Sequence, residues 1–249
     1  MGQVLVIGGT GTLGRRLTPV LVERGHGVRV LSRHSGPAVP SGVVSHRGDI
    51  RTGEGLAPAL DGVETVIQAV AATRSAKATE LEGMRTLLAA RGDRHVLYVS
   101  IVGVDRNPFA YYRTKLEAER LLERSNGNWT IQRATQFHDL IDRFLGLPFF
   151  AKTPHLRFQP VATDDLSLRL ADLVAAGPSG RAPDMGGPEI LPIEELNRVR
   201  AMITGKRARL VPLPLVGVVK AFDQGVHLAP DHRVGTQTWE QWLVANRES

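Results

Sequence analysis

The sequence predicts an α/β fold, a doubly wound parallel sheet with helices on both faces and a small C-terminal lobe. Three observations predict it. Short apolar, β-branched runs alternate with longer amphipathic segments through the first half of the chain, which is the pattern of successive βαβ units. Several of the runs, such as Val66-Ile67-Gln68-Ala69-Val70, are apolar almost throughout, as strands buried on both faces are. A glycine-rich turn joins the first run to the first amphipathic segment. The core is expected over residues 1–135 and a mixed α/β lobe over 136–249, parts of which return to the core.

The 249 residues allow one large domain, or a core with a small lobe, and a hydrophobic content of 42% is ordinary for a globular chain. There are no cysteines, which excludes disulfides, thiolate metal sites and cysteine nucleophiles. No metal site is assigned. The absence of cysteine fits a reducing compartment, so a cytoplasmic protein is expected. No stretch approaches the roughly 20 apolar residues that a membrane span needs. The first strand starts almost at Met1, which leaves no room for a signal peptide. The net charge is +6, yet the arginines are scattered, without a dense basic run or interleaved aromatics. A mildly basic surface with an anionic small ligand is expected, rather than a nucleic-acid or membrane partner.

Gln3–Ile7 reads as the first strand and Thr12–Arg24 as the first helix. Between and just inside them stand Gly8, Gly9, Gly11 and Gly14. Glycine allows a tight turn and a close approach of bare backbone to a ligand. The free N–H groups and positive dipole end of the new helix then face an anion. A strand, a glycine turn and a helix in that order are therefore a phosphate-binding device, and Thr10, Thr12 and Leu13 lie in the same turn. The spacing G-x-x-G-x-x-G over Gly8, Gly11 and Gly14 is wider than the G-x-G-x-x-G of dinucleotide-binding turns.

The second strand, Val28–Ser32, ends at Ser32, Arg33 and His34. An acid near this point bonds the ribose 2′-hydroxyl of NAD. None is present, and Arg33 offers a guanidinium for a 2′-phosphate instead. NADP(H) is expected as cofactor, with NAD(H) as the alternative. The third strand, Val43–His46, leads to Gly48-Asp49-Ile50. Taken alone this is a turn, with Asp49 capping the next helix. The fourth, Thr65–Val70, ends in the small residues Ala69, Val70 and Ala71, which let backbone lie against a ligand at the strand's carboxyl end. A helix follows over Glu80–Ala90, then the fifth strand, His95–Ser100, and a helix over Phe109–Arg124. Tyr111 and Lys115 are four apart on that helix and share a face. An ammonium beside a phenol favours the phenolate, and such a pair suits proton transfer beside a moving hydride. Trp129–Ala134 is the sixth strand.

On these residues the chain resembles the atypical short-chain dehydrogenases/reductases of the NmrA-like, NAD(P)-binding group over almost its whole length. The resemblance implies a Rossmann-like fold and an NADPH-dependent oxidoreductase reducing a small carbonyl or quinone-like substrate. It assigns Gly8, Gly11 and Gly14 to the pyrophosphate, Arg33 to the 2′-phosphate, and Asp49 with Ile50 to the adenine. Ser100, Tyr111 and Lys115 match the catalytic positions, and Ser100 and Lys115 also contact the cofactor. Gln136, Phe137 and His138, leaving the sixth strand, fall near nicotinamide and substrate. Tyr112 points elsewhere, with a packing role. In one respect the chain departs from the pattern. Active extended members carry a second Ser or Thr after this strand to polarise the substrate carbonyl, whereas Ser100 is followed by Ile101 and Val102. His138 is the substitute donor. The departure keeps two alternatives open: an NADP(H)-sensing regulator without turnover, and an epimerase- or dehydratase-like enzyme of nucleotide sugars. Relatives allow a monomer or a homodimer.

In the lobe, Phe144, Leu147, Phe149 and Phe150 around Pro148 fit either a pocket for an apolar substrate or the lobe's own core. Leu156–Leu166 resembles the family's strand and capped helix, with Thr163 or Asp164 as N-cap. Gly186-Gly187-Pro188-Glu189 is a turn, Pro192–Thr204 a helix and Ala208–Leu213 a strand. Trp239 and Trp242, three apart, pack a C-terminal helix down.

Overall fold

The computed structural model describes residues 2–33, 39–70 and 77–247. Its first half alternates strand and helix: β1 (Gln3–Ile7), α1 (Thr12–Glu23), β2 (Gly27–Ser32), β3 (Val43–Arg47), α2 (Leu56–Leu60) and β4 (Thr65–Gln68). A π-helical turn, Lys77–Glu82, runs directly into α3 (Gly83–Ala90). Then come β5 (His95–Ile101), α4 (Ala110–Arg124), β6 (Trp129–Ala134) and α5 (His138–Leu145). The second half holds β7 (Phe149–Lys152), β8 (Arg157–Phe158), α6 (Thr163–Ala176), β9 (Gly180–Arg181) and β10 (Leu191–Pro192). It ends with α7 (Ile193–Thr204), β11 (Arg209–Pro212), α8 (Gly217–Asp223) and α9 (Trp239–Ala245). No helix among the described residues is long and apolar enough to cross a membrane.

The central sheet is parallel and seven-stranded, in the order β3-β2-β1-β4-β5-β6-β9. The chain runs outward from β1 to β3, then returns to β4 on the other side. The carboxyl ends of β1 and β4 therefore flank the point where strand order reverses, which is where open α/β sheets bind ligands. Leu5, Ile7, Leu31, Val66, Val96 and Tyr98 form one buried cluster with residues of α2, α3 and α4. The alternating residues Val4, Val6, Val28 and Val30 are equally buried, so both faces of the sheet are covered.

Two compact units divide the chain. The first holds residues 1–100, 113–132 and 167–182, and with them most of the sheet. The second holds 101–112, 133–166 and 183–249. Its core gathers Ile141, Leu145, Phe158, Ile193, Leu196, Trp239 and Trp242. Two small sheets, β8 with β10 and β7 with β11, complete it.

The boundaries differ from expectation in a few places. Strand four stops at Gln68, before the small residues. The helix expected from Glu80 is a π-helical turn at its start, and its α-helical part begins at Gly83. α2 begins only at Leu56, with Gly55 in a left-handed conformation as its N-cap, so Asp49 caps no helix. α6 starts at Thr163 itself, and the carbonyl of Ala162 accepts from Leu166 N–H at 3.1 Å. The aromatic stretch of the lobe is split. Phe144 and Phe150 pack against the core, whereas Leu147 and Phe149 are 49% and 66% exposed.

Candidate functional site

The glycine turn is built by contacts that no side chain would permit. Gly8 has φ +93°, a conformation essentially reserved for glycine. A Cβ there would lie 2.9 Å from the backbone nitrogen of Val70, so β1 and the end of β4 are pressed together at the reversal point. Gly11 is the N-cap of α1 and gives that helix no side-chain cap. Its own N–H donates to Gly8 O at 2.9 Å. At Gly14 a Cβ would sit 2.3 Å from Gly8 O and 2.4 Å from Gly9 Cα, so this glycine lets the helix close onto the turn. Thr10 and Thr12 are solvent-accessible at the mouth of the turn, while Leu13 is buried beneath it. Arg15 Nε donates to Thr10 O at 2.9 Å and braces the turn from outside.

At the carboxyl ends of β2 and β3, Ser32 is buried and Arg33 exposed. Ile50 is buried. The Asp49 carboxylate is held by Arg51, whose backbone N–H donates to Oδ1 at 2.9 Å and whose Nε reaches Oδ1 and Oδ2 at 3.0 and 2.9 Å. The side-chain bonds from Arg51 above all, with its backbone bond and the charges of Arg51 and Arg33, hold the Asp49 carboxyl below its ordinary pKa against the opposing effect of burial. Arg51 is thus a second guanidinium at this end of the sheet. The sequence signal for it was the i, i+2 spacing Asp-Ile-Arg. Ala69 and Val70 are half-buried. Ala71 and His34 lie outside the described residues.

The carboxyl end of β5 carries a buried polar cluster. Lys115, on α4, is 3% exposed. Its Nζ donates to Glu80 Oε2 at 3.2 Å, Tyr98 OH at 3.1 Å and Val99 O at 2.9 Å. Tyr98 OH in turn donates to Glu80 Oε2 at 2.8 Å. A phenol beside this ammonium is that of Tyr98, a strand residue absent from the expected set, as is Glu80. Three acceptors match the three N–H bonds of an ammonium, so a ribose hydroxyl would share or replace one of them. Next to this cluster in sequence, Ser100 is 3% exposed, and its Oγ has no partner among the described residues. Gln68, at the end of β4, is fully buried with both amide atoms likewise unpartnered among the described residues. Such groups are costly to leave unsatisfied.

The remaining expected residues belong to the second unit. Tyr111, in the first turn of α4, is half-buried, with Phe109 edge-on at 6.4 Å. Tyr112 packs against Phe109 and Phe222, and burial raises its phenol pKa. Val102, where a second hydroxyl was sought, is fully buried and apolar. Gln136 is buried, and its Nε2 donates to His227 O at 3.4 Å. Phe137 is the N-cap residue of α5. His138, expected as a substitute donor, lies in the lobe. It is fully buried, its ring lying nearly parallel to those of Trp239 and Trp242 at 5.8 and 5.6 Å. Burial lowers its pKa to about 4, with an opposing effect of Asp165, so its ring is neutral near pH 7 and packs on the two tryptophans.

The sequence profile of the NAD(P)H-binding family matches residues 8–143. A 3-beta-hydroxysteroid dehydrogenase of Mycolicibacterium neoaurum is 32% identical over 151 residues, 56% of this chain and 39% of that protein. A photosystem II assembly factor of Synechocystis is 31% identical over 146 residues, 54% of this chain and 45% of that protein. The chain thus spans less than half the length of these curated relatives. Among solved structures, the Escherichia coli NADPH-dependent quinone oxidoreductase complexed with NADPH superposes with a TM-score of 0.77 at 15% identity, covering 97% of this chain and 99% of that one. Citrobacter triphenylmethane reductase complexed with NADP(H) gives 0.78 at 15% identity, with 98% and 99% covered. These neighbours share the fold. A nicotinamide dinucleotide also fits the residues present: the cradle at Gly8 and Gly14 is one that a Cβ would fill, and Gln68 and Ser100 leave buried polar atoms unpartnered among the described residues.

Proposed function

The chain belongs to the NAD(P)H-binding family, and from that premise we propose that it is an NADPH-dependent oxidoreductase of the atypical short-chain type, reducing a small carbonyl or quinone-like substrate. The observation that carries this reading is the glycine cradle at the strand-order reversal. When bound, the nicotinamide supplies a hydride equivalent. Gly8, Gly11 and Gly14 would admit the pyrophosphate to the N-terminus of α1. Arg33 would pair with the 2′-phosphate, since no acid ends β2. Lys115 would bind the nicotinamide ribose and Ser100 would contact the cofactor. Tyr111 would deliver a proton to the substrate oxygen as hydride reaches its carbon, so that a carbonyl becomes an alcohol. The absence of cysteine supports the cytoplasm as its place of action, as a monomer or homodimer without nucleic-acid or membrane partners.

Cofactor titration followed by nicotinamide fluorescence tests the reading. NADPH should bind at least about tenfold more tightly than NADH, and Arg33→Ala should erase that preference by weakening NADPH alone. Equal binding of the two in the wild type would remove the NADPH assignment. A screen of carbonyls and quinones then tests turnover. With any substrate found, Tyr111→Phe should lower kcat by about 10²–10⁴ while leaving the NADPH Kd unchanged. An unaltered kcat would remove the proton-donor role.

One observation favours a second reading, an NADP(H) sensor without turnover: buried Val102 stands where a carbonyl-polarising hydroxyl was sought. It predicts tight NADPH binding with no turnover across the screen, and retention of a partner protein that changes between NADP+ and NADPH.

A further inference from the structure

We infer that Glu80 is a positioning residue for Lys115, delivered to it by the π-helical turn that precedes α3. The inference rests on the reading of this site as the NADPH site. Glu80 is fully buried, yet it lies on a turn whose neighbour Lys77 is exposed. π-helical turns are rare and recur at functional sites, because the inserted residue redirects the side chains around it. Here the turn buries Thr79, Glu80 and Leu81 in succession.

The three side chains bond to one another. Glu80 Oε2 accepts from both Tyr98 OH and Lys115 Nζ, Tyr98 OH also accepts from Lys115 Nζ, and the ammonium stands 4.6 Å from the centroid of the Tyr98 ring. The fourth contact, to Val99 O, fixes the ammonium at the carboxyl end of β5. Lys115 reaches this place from α4, Tyr98 from the sheet and Glu80 from the π-helical turn, so three elements converge on one charge.

Stability alone gives little reason for this arrangement. Desolvation of a buried ion pair offsets much of its attraction, and apolar side chains of similar volume often serve a core as well or better. A buried ammonium without its carboxylate is another matter, because it keeps the full desolvation cost. Glu80 therefore supplies what Lys115 needs to remain an ion pair at this depth. Tyr98 completes the geometry by bonding to both. On this account the carboxylate's charge matters more than its shape.

Dinucleotide binding and thermal melting of the full chain test the inference together. Wild type, Glu80→Gln, Glu80→Asp, Lys115→Met and the double variant Glu80→Gln/Lys115→Met are compared by NADPH fluorescence titration. Glu80→Gln keeps the shape and removes the charge, and should weaken NADPH binding by at least about fivefold. Glu80→Asp keeps the charge on a shorter stem and should bind more tightly than Glu80→Gln, although Gln is the better steric match. A purely structural role predicts the opposite order. In the Lys115→Met background the Glu80→Gln effect should shrink below about twofold, because Glu80 acts through Lys115. The double variant should also melt above Glu80→Gln, since the uncompensated buried charge is gone.

Wild-type NADPH affinity in Glu80→Gln, or an equal loss in both backgrounds, would overturn the inference while leaving the NADPH site intact. A wild type that binds no dinucleotide would overturn the site reading and the inference with it. Should Glu80→Gln fail to fold, Tyr98→Phe carries the same cycle, because it removes only the hydroxyl joining the two charges. Its loss of NADPH affinity should likewise vanish beside Lys115→Met, and a loss that persists there overturns the inference.

Discussion

A Gly14→Ala variant is expected to lose dinucleotide binding and to melt about 5–10 °C below the wild type. The added methyl would lie 2.3 Å from Gly8 O, 2.4 Å from Gly9 Cα and 2.6 Å from Gly9 C. All three are backbone atoms of the turn, so no side chain can rotate away. Either α1 lifts from the sheet or the turn opens, and overpacking of this kind costs about 2–3 kcal/mol. For a chain of this size each kcal/mol corresponds to about 2–4 °C. Gly11→Ala separates folding from binding. Among the described residues its Cβ would meet only Gly8 O, at 3.2 Å, and φ at Gly11 is −79°, which alanine adopts freely. That variant should melt within about 2 °C of the wild type and still lose most of its NADPH affinity, because the methyl stands where the pyrophosphate would approach. Calorimetry and fluorescence titration on the two variants check both statements. Unchanged NADPH binding in Gly11→Ala would place the ligand elsewhere.

The second large effect is acid sensitivity. His95, His138 and His227 are buried, and burial lowers each pKa to about 4 from an ordinary 6.5, with a backbone hydrogen bond to Arg157 O partly opposing it at His227. The unfolded chain therefore takes up these protons first. The stability that the neutral rings represent is complete above about pH 6.5 and falls as pH drops toward 4. Each imidazole contributes about 1.4 kcal/mol per pH unit inside that window. Three together amount to roughly 5 kcal/mol between pH 7 and pH 5, a large share of a typical domain's stability. The raised pKa of Asp184, whose first cause is burial, acts in the opposite direction as pH falls toward its ordinary 3.8. The lowered carboxyls of Asp49 and Glu195 add their losses only below their ordinary 3.8 and 4.5.

His138→Phe isolates one of the three. Neither ring nitrogen of His138 has a hydrogen-bond partner among the described residues, so the substitution breaks no bond and keeps the stacking against Trp239 and Trp242. At pH 5 the variant should be about 2 kcal/mol more stable than the wild type beyond any difference at pH 7.5. Melting curves at the two pH values measure this, and parallel pH slopes for the two proteins would refute it.

What was legible in the sequence was what local chemistry dictates. β1, its glycine turn and α1 are written in contiguous residues, through β-branched packing, positive φ and helix periodicity, and the parallel sheet follows from repeating that unit. The absence of an acid after Ser32, with Arg33 in its place, is likewise local. The surroundings of Lys115 were not legible, because its partners Glu80 and Tyr98 lie 35 and 17 residues away in sequence. Glu80 read as an ordinary first-turn acid of a helix, since no pattern distinguishes a π-helical start from an α-helical one. His138 read as a candidate donor because the rings that enclose it come from about a hundred residues downstream. Thr238 and Gln241 form a capping box before those tryptophans. That Thr-x-x-Gln signal is local and stands in the sequence around the aromatic pair.

The place of β1 has a consequence for synthesis. It leaves the ribosome before both of its neighbours and lies inside the finished sheet, between β2 and β4. Its pairing with β2 joins residues 4 and 28, but its pairing with β4 joins residues 4 and 65. At translation speeds of about 5–20 residues per second, the 61 residues separating that second pair take roughly 3 to 12 seconds to appear. Until then one edge of an apolar strand has its hydrogen-bonding groups unpaired, the condition under which strands pair with the wrong chain. A strand enclosed on both sides in the native sheet is thus, for those seconds, an adhesive edge of the newborn chain.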